Sequence, residues 1–186
     1  MKQITLPSST RVHIPHDGSG VDLQEVDTLK EISRRNKMAI IECGLAIEWH
    51  LELIIANYFF EPPETKKKLF EDIVLRSDWC TFSAKRKLIN YIVNELELLT
   101  GKDKNDFDQL IINAMNIRNA FTHGRLSTDG KMICLGFFQS QPQTKELSDE
   151  YLMEVENTLF DAHKKTDLLL MALLNKLGTA ETVTLF

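Results

Sequence analysis

Arg118-Asn-Ala-Phe-Thr-His123-Gly124 sets a guanidinium, a carboxamide and an imidazole within six residues, next to a glycine. Arginine keeps its proton and grips phosphate through a two-pronged donor set. Histidine is the side chain whose ordinary pKa lies near neutrality. Together they suit phosphoryl transfer without a metal. His123 would move a proton at an RNA 2′-hydroxyl, Arg118 would stabilise charge on the phosphorane, and Asn119 would orient either group. Arg118 is also out of place for a surface residue. With Phe107 at 0° and about 100° per residue, the apolar residues from Phe107 to Phe121 span an arc of about 160°, with Arg118 near its middle. A cation there needs a carboxylate, a partner subunit or an anionic ligand. Glu48 and Glu52, beside the apolar stripe of the first long helix, are the candidate carboxylates. The spacing leaves open both a buried Arg–Glu tie between helices and an anion site near a subunit interface.

The elements that must position these residues are mostly helical. Apolar residues recur at helical spacing from Val21 to Phe60, and Glu61-Pro-Pro stops the helix. A second helix spans Thr65 to about Ser77. A third, capped by Ser83 or Thr81, runs to about Leu99, with Gly101 ending it. Asp103–Thr122 forms the fourth. Arg125–Ser127 and Met132–Phe138 flank Thr-Asp-Gly-Lys as a β-hairpin. Gln139–Lys145 reads as a polar loop, and Ser148 opens a last helix to about Leu177. The expected fold is all-α: one helical domain over 21–178, with a small β-hairpin between the fourth and last long helices. Residues 1–20 read as an extended arm that pairs with a later strand or is mobile, and 179–186 as a tail.

The first helix has two apolar stripes. Ile40, Cys43, Ile47, Leu51, Ile54, Ile55 and Tyr58 form one. Leu45, Ala46, Trp49, Leu53, Ala56 and Phe60 form the opposite one. A surface helix needs only one. The second is covered either by the chain itself or by a second copy in a homodimer.

Three segments resemble a known superfamily. Ile117–Gly124 resembles the Arg-x4-6-His motif of HEPN domains. Thr81-Phe-Ser-Ala-Lys-Arg-Lys-Leu88 resembles a segment of their mannitol-operon-repressor-like branch, and Ala46-Ile-Glu-Trp-His-Leu51 its first long helix, which often carries a Glu at the position of Glu48. The segments come in the family order and the similarity covers roughly residues 25–175. The resemblance implies a helical bundle, usually homodimeric, with paired motifs near the dimer cleft. It also implies a metal-independent endoribonuclease of toxin or defence type, with an antitoxin or other protein partner, or an inactive regulatory relative. Arg118, Asn119 and His123 match the active pattern.

The 22 Lys+Arg against 27 Asp+Glu give a charge of −5, which argues against a nucleic-acid or membrane binder held by bulk charge. It leaves room for a local basic site, and Lys85, Arg86 and Arg125 are the candidate RNA contacts. A basic helix–turn–helix is absent, so a DNA-binding repressor is the weaker reading. The basic runs Lys66–Lys68 and Lys85–Lys87 are otherwise solvated helix faces. Cys43, Cys80 and Cys134 read as buried thiols of a reducing cytosol. No metal-ligand cluster, P-loop, dinucleotide fingerprint or nucleophile elbow is present, so neither metal nor cofactor is expected. His50 reads as a hydrogen-bonded structural residue and His163 as exposed. Trp49, Trp79 and the ten Phe read as packing residues. The first 20 residues lack the apolar core of a signal peptide, and Met38–Phe60 carries too much charge to span a membrane, so a cytoplasmic protein is expected.

Overall fold

A computed structural model describes residues 11–12, 23–60, 64–128 and 132–178. The chain is mostly helical. Strand β1 (Arg11–Val12) is followed by α1 (Leu23–Phe59), α2 (Glu64–Phe70) with a π-helical turn over Glu71–Leu75, α3 (Phe82–Glu95) and α4 (Gly101–His123). Strands β2 (Arg125–Thr128), β3 (Ile133–Gln139) and β4 (Gln141–Glu146) precede α5 (Asp149–Leu177). Among the described residues no helix is long and apolar enough to cross a membrane.

The chain divides into two compact units, Met1–Ile41 with Asn116–Glu156 and Glu42–Met115 with Asn157–Phe186. The boundaries fall inside α1, α4 and α5 rather than at a linker. That is why hydropathy patterning predicts one domain.

The larger unit is helical. One stripe of α1 is its spine: Ile47, Leu51, Ile54 and Ile55 are fully buried. Ile89, Ile92 and Val93 of α3, Phe107, Ile111 and Ala114 of α4, and Leu169, Leu170 and Leu173 of α5 are buried at helical spacing. The opposite stripe of α1 is only partly covered, with Leu45 48% and Trp49 42% exposed. Thr81 caps α3 by accepting a bond from the Ala84 amide at 3.3 Å. That helix ends at Glu95, four residues before the predicted Leu99. The backbone turns at Glu97, which takes a left-handed φ of 50°. Gly101, expected to end α3, is instead the first residue of α4, with φ 54°. A positive φ suits glycine at either place, so residue type alone does not choose between them.

The smaller unit holds the sheet, in the order β1-β2-β3-β4. β2 and β3 pair antiparallel from Arg125↔Gly136 to Thr128↔Ile133, as the hairpin reading requires, although residues 129–131 of its turn lie outside the described residues. The arm pairs through Arg11↔Ser127 and Val12↔Thr128, in parallel. The polar-loop reading of Gln139–Lys145 is corrected: Gln141–Glu146 is a strand paired with β3 from Cys134↔Glu146 to Gln139↔Gln141. Nearly all its residues are exposed, so no apolar alternation marks it. Ser140, at a left-handed φ of 61°, makes the turn. Ser148 caps α5, its Oγ accepting from the Tyr151 amide at 3.3 Å.

Candidate functional site

The end of α4 is built in the smaller unit. The helix keeps its ladder to the last residue, with the Gly124 amide donating to the Ala120 carbonyl at 2.8 Å. Phe121 anchors it, fully buried. Gly124 is sterically required: a Cβ there would lie 2.2 Å from the Ala120 carbonyl oxygen and 2.6 Å from Leu135 Cδ1. That close approach lets the helix turn directly into β2 at Arg125.

His123 is exposed and Arg118 half-buried. The Arg118 Nη1 donates to Asn119 Oδ1 at 3.1 Å, joining two of the three predicted catalytic residues. Five helical residues separate Arg118 from His123, about 140° of rotation and about 7.5 Å of rise. The two therefore lie on different faces of α4. What the backbone adds at the corner is Lys37 of α1, whose ammonium donates to the Gly124 carbonyl at 3.1 Å. A lysine on a last-turn carbonyl satisfies an acceptor that the helix end leaves open. Burial pushes the Lys37 pKa below the ordinary lysine value. Lys37, His123 and Arg125 thus meet the chain at one corner, with Arg118 about one and a half turns of α4 before it. Sequence reasoning missed Lys37, because 87 residues separate it from Gly124.

The remaining predicted residues gather in the larger unit. Lys85, a candidate RNA contact, is 3% exposed. Its ammonium donates to Glu48 Oε1 at 2.6 Å and Glu52 Oε1 at 2.7 Å. Burial alone would lower its pKa, but the hydrogen bonds and charges of the two carboxylates outweigh that and raise it. Lys85 is therefore a neutralised core cation, which corrects its reading as a phosphate contact and the Lys85–Lys87 run as a wholly solvated face. Both carboxylates assigned from the sequence to Arg118 hold this lysine. Arg76 adds a longer contact to Glu52 at 3.6 Å. Arg86 is also engaged: its Nη1 donates to both oxygens of Asp108 at 2.8 Å, and Asn90 donates to the same carboxylate at 2.6 Å. A half-buried guanidinium tied to a carboxylate offers little to phosphate. Of the three candidate contacts, Arg125 is the exposed one, beside His123.

His50 is buried, and its ring lies 4.7 Å from that of His163, which is half-buried rather than exposed as predicted. Thr166 Oγ1 sits 3.5 Å from His50 Nδ1. Burial, with His163 adding to it and Asp167 opposing it, pushes the His50 pKa down. Cys80 is buried and Cys43 and Cys134 half-buried, none of the three in a disulfide. Burial raises the Cys43 and Cys80 pKa values, which suits neither to nucleophilic work. The packing role read for every large aromatic does not hold throughout, since Trp79 and Phe138 are largely exposed.

Comparison with family models, with curated proteins and with solved structures finds no match to this chain.

Proposed function

We propose that the protein is a HEPN-like, metal-independent endoribonuclease whose site is the C-terminal end of α4. The observation that carries this reading is the Lys37 ammonium on the Gly124 carbonyl. It places a further cation beside His123 and Arg125 in a chain whose overall charge is −5. Local positive charge at an exposed imidazole is what a phosphodiester substrate requires.

His123 accepts the 2′-hydroxyl proton as the 2′-oxygen bonds to phosphorus. The P–O5′ bond breaks, and the departing oxygen takes up a proton from the imidazolium or from water. The products are a 2′,3′-cyclic phosphate and a free 5′-hydroxyl. Lys37 and Arg125, at the same corner as His123, stabilise the charge on the phosphorane. Arg118, on another face of α4 and oriented by Asn119 through the 3.1 Å bond, reaches it from the second copy. Two copies related by a two-fold axis would face paired Arg118 and His123 sets across one cleft, as the HEPN resemblance implies.

The second reading is a non-catalytic homodimeric regulator. It draws on the exposed Leu45 and Trp49 face of α1, an apolar stripe without enough cover in one chain. One experiment separates the two. RNA is incubated with the protein in excess chelator, and cyclic-phosphate ends are measured for the parent and for His123→Ala. Cutting that is lost in the variant supports the nuclease. A dimer in sedimentation that cuts no RNA supports the regulator.

A further inference from the structure

The proposed site leaves open what would hold a base beside the scissile phosphate, and the sheet next to it carries an answer. Phe138 is 75% exposed, the most exposed large apolar side chain among the described residues. Its position in the register is specific. In an antiparallel sheet, cross-strand partners share a face, and so do residues two apart on one strand. Arg125 pairs with Gly136, Gly136 with Thr144, and Phe138 with Pro142. Arg125, Gly136, Phe138, Pro142 and Thr144 therefore lie on one face, while Leu126, Ile133 and Leu135 of the opposite face are buried. Arg125 and Phe138 are diagonal neighbours, about 7–8 Å apart at the backbone and within reach of long side chains. Gly136 leaves a floor with no side chain between them. Arg125 itself stands two residues after His123.

We infer that Phe138 and Arg125 form a stacking platform for an unpaired RNA base beside the α4 site. This rests on the nuclease reading above. A ring with a free face stacks any base, and a neighbouring guanidinium holds the adjoining phosphate or stacks in turn. A base in a duplex is already stacked on both sides and cannot lie on such a platform. The sheet's outer edge is unsuited to recognition by strand pairing. β4 is Gln-Pro-Gln-Thr-Lys-Glu, where Pro142 lacks an amide donor and Lys145 adds charge, both devices that block an edge. That favours the face over the edge, and a nucleic-acid strand over a protein strand.

The test uses the full chain carrying His123→Ala, so that RNA stays intact during binding. A short labelled single-stranded RNA and a duplex of the same sequence are titrated by fluorescence anisotropy. The single strand binds about tenfold or more tighter than the duplex. Adding Phe138→Ala weakens single-strand binding roughly 5- to 150-fold, the range for one stacked base, while Phe138→Trp holds it within about twofold. Equal affinity with and without the ring, equal binding of duplex, or no binding of single-stranded RNA overturns the platform. Cutting by the chain with His123 intact is scored separately. Loss of the Phe138 effect with cutting retained rejects the platform alone. A Phe138 effect in a chain that cuts equally well without His123 rejects the catalytic assignment alone.

Discussion

Replacing Lys85 with Met removes one charge from the core and leaves two. The methionine keeps nearly the length of the lysine, so little space opens. Glu48 and Glu52 then lose the ammonium that both grip at 2.6 and 2.7 Å. Their side chains are only 12% and 10% exposed, so water cannot take its place. Removing one partner from a buried ion pair costs about 3–5 kcal/mol. Arg76 compensates little, being 3.6 Å from Glu52 and half exposed. For a chain of this size 1 kcal/mol moves the melting temperature about 2–4 °C. The Lys85→Met protein should therefore melt about 6–20 °C below the parent. Adding Glu48→Gln and Glu52→Gln should recover much of the loss, because the penalty comes from two carboxylates that have lost their shared ammonium. The pH dependence has a definite sign. The folded-state pKa of Lys85 is raised, so its stabilisation is complete below the unfolded lysine value of about 10.4 and is lost only as pH rises through the folded value. The melting difference should hold steady from about pH 6 to pH 9. Thermal melting followed by circular dichroism reads all of this. A Lys85→Met protein that melts within about 2 °C of the parent, or a triple variant no better than the single, refutes the reasoning.

Two further perturbations test other parts of the structure. Gly124→Ala forces a Cβ against the Ala120 carbonyl oxygen, which is backbone and cannot swing away. It should cost about 1–3 kcal/mol or more by urea unfolding, and an unchanged midpoint would show that the α4–β2 corner is looser than described. His50 is held neutral by burial, so the unfolded chain binds its proton more readily. Its contribution is complete above the unfolded value of about 6.5 and is lost as pH falls through the lower folded value. Stability should drop as pH falls below about 6.5, and His50→Gln should flatten that drop; equal slopes in both proteins would contradict it.

Helix existence was legible because the apolar residues of α1, α3, α4 and α5 repeat with the helical period and their ends are marked chemically, by Glu61-Pro-Pro after the first and Ser148 before the last. The buried stripe of α1 emerged from spacing alone. Strand β4 did not, since an exposed edge strand has no buried face to impose alternation. Gly101 misled because a left-handed glycine can follow one helix or begin the next. At the proposed site, the candidates Arg118, Asn119, His123 and Arg125 lie in one run of sequence, so they could be named together without the fold. Lys37 could not, because its contact with Gly124 exists only once α1 and α4 are packed. Lys85 was misassigned because a lysine among Lys85-Arg86-Lys87 looks solvated, and only the fold brings Glu48 and Glu52 around it. Phe138 was misread for the reverse reason: a phenylalanine next to another on a strand points to the opposite face, and here that face is open.

The claim that matters most is that the imidazole at the end of α4 does the chemistry. Initial rates of single-stranded RNA cleavage in chelator, compared between the parent and a folded His123→Ala protein of equal melting temperature, measure it directly. General acid–base catalysis by this residue predicts a fall of about 10²- to 10⁴-fold, with cyclic-phosphate ends disappearing in step. Equal rates in the two proteins contradict it.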